Sequence, residues 1–200
     1  HMKHFAIVGL GSIGRRHMTN LAERFPKARF TVLRHVAAPD PLCDQLGARI
    51  VTRLDDVLTD KPDLVVVASP SANHMDCLPP LIAAGVNLLV EKPIVTETAD
   101  CDSLLNQLRT APSAVRISGF NFRYLPSLQR MRAAIHAGEL GTMVRAAFVA
   151  GQWLPDWRPT QDYRQSYSAD AGRGGGVELD LVHEIDVARW FFGELKLEFA

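Results

Sequence analysis

The segment FAIVGLGSIG, residues 5–14, constrains this chain most, because a continuous apolar run passes without a spacer into glycines at 9, 11 and 14. Phe5, Ala6, Ile7 and Val8 have the character of a parallel strand covered on both faces. The G-x-G-x-x-G spacing after them is the turn by which such a strand enters a helix against a dinucleotide pyrophosphate. Gly9 permits the tight turn, Gly11 lets phosphate approach the main chain, and Gly14 lets the helix pack closely on the strand. The N–H groups at the helix start then face the anion. Glycine-rich turns are common in other settings, so the flanks decide. Downstream, Met18, Leu21, Ala22 and Phe25 recur at helical spacing.

The rest of the first 120 residues alternates strand and helix, as a doubly wound parallel sheet requires. Strands are read at 30–33, near Ile50, at 64–68, at 86–90 and at 115–119. Helices are read from Asp40-Pro41 to Gly47, at 54–58, at 73–84 and at 100–108. The 73–84 helix contains Pro79-Pro80, and an interior proline costs about 3 kcal/mol. Either the helix kinks there, or its regular part starts near Pro79. Beyond Gly119 the texture changes: Pro126 opens an amphipathic helix, and 143–149 reads as a strand. A polar, aromatic stretch at 152–173 reads as loop, 177–192 as helix and 196–199 as a strand. The expected architecture is α/β: a dinucleotide-binding domain over 1–120, then an α+β domain with an open mixed sheet over 121–200. Because the sequence stops inside an expected strand, that second domain reads as incomplete.

Composition removes several functional classes. The formal net charge is zero and no long Lys/Arg cluster exists, so no nucleic-acid footprint is present. No apolar stretch approaches the roughly 20 residues that span a bilayer. His1-Met2 before Lys3 reads as an expression scar plus the initiator, and no secretory signal is visible. Cys43, Cys77 and Cys101 are odd in number and widely spaced, which fits reduced cytoplasmic thiols and neither a disulfide framework nor a metal site.

Two further motifs follow the glycine turn in order. Glu91-Lys92-Pro93 lies directly after the fifth strand, where a doubly wound sheet presents groups to ligand. GGGVELDLVHEID, residues 174–186, puts Asp180 and His183 three positions apart, on one face of a helix that is otherwise largely apolar. With SPSANH at 69–74 and GFNFRY at 119–124, this set resembles the glucose-fructose oxidoreductase and myo-inositol dehydrogenase family (Gfo/Idh/MocA) over essentially the whole chain.

The resemblance implies a nicotinamide-dependent oxidoreductase of sugars or polyols, with substrate held between the two domains over the nicotinamide. It implies cofactor contacts at Gly9, Gly11, Ser12, Ile13, Gly14, Arg15, Arg34, Ser69, Pro70, Asn73, His74, Glu91, Lys92, Pro93 and Asn121. Lys92, Asp180 and His183 are the implied catalytic residues, and the same three with Arg123 and Tyr163 would meet substrate. Hydride chemistry belongs to the cofactor, while the protein supplies a proton acceptor and a cation for the developing alkoxide. Many family members place the aspartate four residues before the histidine, a slot that Leu179 fills here. Asp180 therefore either orients His183 or contacts substrate. His183 has a second reading as a core histidine near Val187 and Trp190. Asn121 and Arg123 either touch ligand or position the domain junction.

Cofactor choice is read from the second strand, which ends at Arg34-His35 with no carboxylate before Asp40. Arg15 and Arg16 lie in the first helical turn, where the macrodipole disfavours cations unless a phosphate is bound. The expectation is NADP(H) in preference to NAD(H); in the competing reading Arg34 is merely solvated and NAD is used. Homo-oligomerisation through the C-terminal sheet is also expected. Two other functions stay open: an NAD-dependent glycoside hydrolase, which the family also contains, and a non-enzymatic nucleotide sensor.

Overall fold

The computed structural model describes residues 2–151, 153–157 and 162–198. The chain falls into two compact units, His1–Gly119 and Phe120–Ala200.

In the first unit β1 (His4–Val8) leads through the glycine turn into α1 (Ser12–Arg24) and β2 (Arg29–Leu33). α2 (Pro41–Leu46), β3 (Arg49–Val51), α3 (Leu54–Thr59) and β4 (Leu64–Val67) follow. A 3₁₀ turn over Ser71–Asp76 precedes α4 (Leu78–Ala83), and β5 (Leu88–Val90), α5 (Thr98–Thr110) and β6 (Arg116–Ser118) complete the unit. All six strands pair in parallel, in the order β3-β2-β1-β4-β5-β6. The order reverses between β1 and β4, the switch point at whose carboxyl ends open α/β sheets bind their ligands.

The apolar runs in these strands are continuous because both faces of the sheet are covered. Ala6 and Val8 join Val65, Val67, Leu88 and Val90 in one core layer under α4 and α5. Phe5 and Ile7 point the other way, against Met18, Phe30, Val32 and Val66. The two prolines expected to disturb a helix at 73–84 sit in the first turn of α4, where a missing N–H removes no helical bond. The regular helix therefore starts at Leu78, and the residues before it form the tighter 3₁₀ turn. Asp40 caps α2 by accepting from the backbone N–H groups of Leu42 and Cys43.

In the second unit a 3₁₀ turn over Asn121–Tyr124 precedes α6 (Pro126–His136). After it come α7 (Leu154–Trp157), 3₁₀ turns at Tyr163–Gln165, Tyr167–Ala169 and Ala171–Arg173, then α8 (Val177–Asp180) and α9 (Val182–Phe192). The single helix expected over 177–192 is interrupted at Leu181, whose φ of −98° and ψ of 24° leave the helical basin. The strand expected at 143–149 forms no ladder, and Val144 and Val149 are each 93% exposed. A strand needs a neighbour to satisfy its backbone, and no strand is assigned among the described residues of this unit. Residues 196–198 are likewise unpaired, while Phe199 lies outside the described residues, as do Gln152 and 158–161 of the expected loop. Among the described residues no helix is long and apolar enough to cross a membrane.

Candidate functional site

The three glycines of the first turn meet different surroundings. Gly9 has φ +87°, and a Cβ there would lie 2.6 Å from the backbone N and Cα of Ser69. A Cβ on Gly14 would lie 2.2 Å from the carbonyl oxygen of Gly9, whereas one on Gly11 would meet nothing within 4 Å. Chain packing thus accounts for Gly9 and Gly14. It leaves Gly11 unexplained, and this is the position that the sequence pattern reserves for phosphate. Gly11 is the N-cap of α1, without a side-chain cap, and no acidic residue occupies the first turn. The leading N–H groups of Ser12, Ile13 and Gly14 have no carbonyl behind them in the helix to bond. Beside Gly9, the Ser69 hydroxyl is buried and has no hydrogen-bond partner among the described residues.

The loops after β4 and β5 are tied together. His74, expected to contact cofactor, is instead 1% exposed, with its ring nitrogens 3.0 Å from the carbonyl oxygens of Ser69 and Ile94. Burial holds its pKa below the ordinary histidine value, against the opposing pull of those carbonyls. Its ring spans the two loops. Asn73 donates to Asp76 at 3.3 Å, and Pro70 precedes the 3₁₀ turn.

Glu91, Lys92 and Pro93 leave β5 with a cis Lys92-Pro93 peptide bond, and Pro93 is buried. One oxygen of Glu91 accepts from His17 Nε2 at 2.6 Å, and the other accepts from the backbone N–H of Lys92 at 3.3 Å. Burial raises the Glu91 pKa, but the His17 hydrogen bond and nearby positive charge outweigh it, so the net shift is downward.

Arg15 and Arg34 are not waiting cations. Arg15 donates through both terminal nitrogens to the carboxylate of Asp40, one of these bonds being 3.0 Å. Arg34 lies 3.8 Å from the same carboxylate and donates to the carbonyl of Ala38 at 3.0 Å. The Arg15 hydrogen bond holds the Asp40 carboxyl down at about 2.

In the second unit Asp180 ends α8 and His183 lies in the first turn of α9. The break at Leu181 removes the shared helical face expected of them. His183 stacks on Phe122, with centroids 4.5 Å apart and planes 16° from parallel, and meets the edge of Phe120 at 6.0 Å. Asn121, at the start of that 3₁₀ turn, is exposed. Arg123 is bidentate to Asp186, at 2.9 and 2.6 Å, with its guanidinium 5.9 Å from the Trp190 ring centroid. Tyr163 carries the Arg164 guanidinium over its ring and lines a narrow crevice with Leu154 and Trp157. Lys92 belongs to the first unit and Asp180 and His183 to the second.

Sequence reasoning missed His17 and, as a partner of the arginines, Asp40. Neither pairing leaves a local pattern, since the partners are 74 and 25 residues apart. Phe122 within GFNFRY carries no such signal either, because an aromatic in a turn has no periodicity.

The family model described as "Oxidoreductase family, NAD-binding Rossmann fold" matches residues 3–118, and that of the "GFO/IDH/MocA C-terminal domain" matches 128–197. The rhizopine catabolism protein MocA of Rhizobium meliloti is 26% identical over 96% of this chain and 58% of its own length. The inositol 2-dehydrogenase of Corynebacterium glutamicum is 27% identical over 94% of this chain and 53% of its own. Among solved structures, GenD2 from gentamicin A biosynthesis, in complex with NAD, is 29% identical with a TM-score of 0.71, covering 96% of this chain and 54% of that one. The chain thus spans about half the length of the curated relatives it matches.

These findings overturn the expectation of NADP(H). The matched family is described as NAD-binding, and the similar GenD2 structure holds NAD. The physical reason is Asp40, which folds back as the counter-ion of Arg15 and Arg34 and occupies the cations that a 2′-phosphate would need. With its parallel sheet, its glycine turn and both matched regions in chain order, the protein belongs to the Gfo/Idh/MocA family of oxidoreductases.

Proposed function

We propose that the protein is an NAD-dependent dehydrogenase that oxidises a secondary hydroxyl of an inositol or a closely related cyclic polyol. The observation that carries the nucleotide half of this reading is the turn at residues 9–14, where packing explains Gly9 and Gly14 while Gly11 leaves open space at the start of α1, as an approaching ligand requires. The orphaned Ser69 hydroxyl beside it fits the same ligand. The polyol half is supported by the similarity to a protein named inositol 2-dehydrogenase.

The N–H groups of Ser12, Ile13 and Gly14 would hold the pyrophosphate at the positive end of α1. NAD, when bound, supplies the acceptor for the hydride that leaves the carbinol carbon. The Lys92 ammonium would steady the negative charge that grows on the hydroxyl oxygen. His183 would take the hydroxyl proton, a role suited to an imidazole near neutral pH. Its stacking on Phe122 fixes the ring plane. Asp180 would orient that imidazole.

The test is a screen of inositols, other polyols and sugars with NAD and with NADP, following cofactor reduction. The reading predicts reduction of NAD by at least one cyclic polyol and its loss in Lys92→Ala. Cleavage of a glycoside without net cofactor reduction would overturn it in favour of hydrolysis.

A further inference from the structure

We propose that His17 is a positioning residue that sets Lys92 for the nicotinamide half of the cofactor by holding the carboxylate of Glu91, an inference that rests on the dehydrogenase reading above. His17 lies in the second turn of α1, the helix that begins at the glycine turn. Its Nε2 is 2.6 Å from Glu91 Oε1, and both side chains are largely withdrawn from solvent, at 22% and 15% exposure. The second oxygen, Oε2, accepts from the main-chain N–H of Lys92 at 3.3 Å. A third wall is Gly119, just beyond β6, where a Cβ would lie 2.9 Å from Oε2 and 3.1 Å from Cδ. Only hydrogen fits between that backbone and the carboxylate.

Glu91 is therefore confined by α1, by the loop after β5 and by the end of β6. Two of those contacts run through opposite oxygens of one rigid group. In a sheet of this order the two mononucleotide halves lie on either side of the β1/β4 switch point. α1 belongs to the half that opens with β1, and Lys92 to the half built on β4–β6. The His17–Glu91–Lys92 chain is a side-chain link across that division. Without the His17 donor, the carboxylate keeps its Lys92 contact but loses its anchor, and the Lys92 main chain is no longer fixed relative to the glycine turn.

Affinity for NADH and for ADP-ribose, which lacks the nicotinamide, separates positioning from a general loosening of α1. Loss of a hydrogen bond to a charged group is large enough to be read as about tenfold in affinity. His17→Leu should weaken NADH about tenfold and leave ADP-ribose within about twofold. His17→Gln, which restores an N–H donor, should recover most of the loss. Glu91→Gln, nearly isosteric, should reproduce the split at about threefold or more, and it carries the test should His17→Leu fail to fold. Equal losses for both ligands, or unchanged NADH affinity in a variant that melts like the parent, would overturn the inference. Failure of the parent protein to bind either ligand would overturn the cofactor reading and this inference with it.

Discussion

Replacing Gly11 and Gly14 separately by alanine divides the demands of folding from those of ligand. At Gly14 the new methyl carbon would stand 2.2 Å from the Gly9 carbonyl oxygen, where ordinary contact begins at 3.4 Å, an overlap of 1.2 Å against backbone. Overpacking of this kind costs about 1–3 kcal/mol, and the gain from alanine's helix propensity returns at most about 1 kcal/mol. A net loss of about 1–2 kcal/mol lowers the melting temperature by roughly 4–8 °C in a unit of this size. Gly11 is different: its φ of −73° suits any residue and its Cβ meets nothing. Losing glycine for alanine at an N-cap costs up to about 1 kcal/mol, and the stiffer unfolded chain returns about 0.4–1 kcal/mol. Gly11→Ala should therefore melt within about 2 °C of the parent. Its methyl nevertheless occupies the approach reserved for pyrophosphate, so NADH affinity should fall at least about tenfold, or 1.4 kcal/mol. Melting curves and fluorescence titration with NADH read the two quantities. A Gly11→Ala protein that is stable and binds NADH like the parent would refute the assignment of the glycine turn.

Asp40→Ser keeps an N-cap for α2 but removes the counter-ion of Arg15 and Arg34. Titration with both cofactors should show a narrowed preference for NADH over NADPH, and an unchanged ratio would refute the role given to Asp40. The Asp40 carboxyl is depressed to about 2 in the folded protein, below its unfolded value. Its stabilising contribution is therefore complete above about pH 4 and lost as pH falls through about 2. Melting temperatures across that window should drop more steeply for the parent than for Asp40→Ser. His183→Ala should lower kcat by about 10²–10⁴-fold with cofactor affinity nearly unchanged. Asp180→Asn should cost less if the aspartate only orients the ring, and steady-state kinetics on the two variants decide between that role and direct proton transfer.

The first unit was legible because its constraints are local. Continuous apolar runs at residues 5–8 and 64–68 announce strands buried on both faces, and Gly9 and Gly14 mark approaches that no other residue permits. What escaped was built from side chains distant in sequence. Arg15 and Arg34 look like a phosphate site until Asp40 turns back onto them, and His17 looks like a surface histidine until β5 brings Glu91 alongside. The pairing of 143–149 was equally illegible: alternation can suggest a strand, but a strand exists only where another supplies its hydrogen bonds. At 177–192 the helical periodicity runs through Leu181 without warning of the break there, and with it went the shared face inferred for Asp180 and His183.

Hydride transfer from a polyol to NAD is the central claim, and isotope tracing tests it most directly. Inositol deuterated at its carbinol carbons, incubated with the protein and NAD, should yield NADH carrying a single deuterium, with the proton of the hydroxyl lost to solvent. NADH formed without deuterium, or no deuterium transfer to NAD from any cyclic polyol in the panel, would contradict the account.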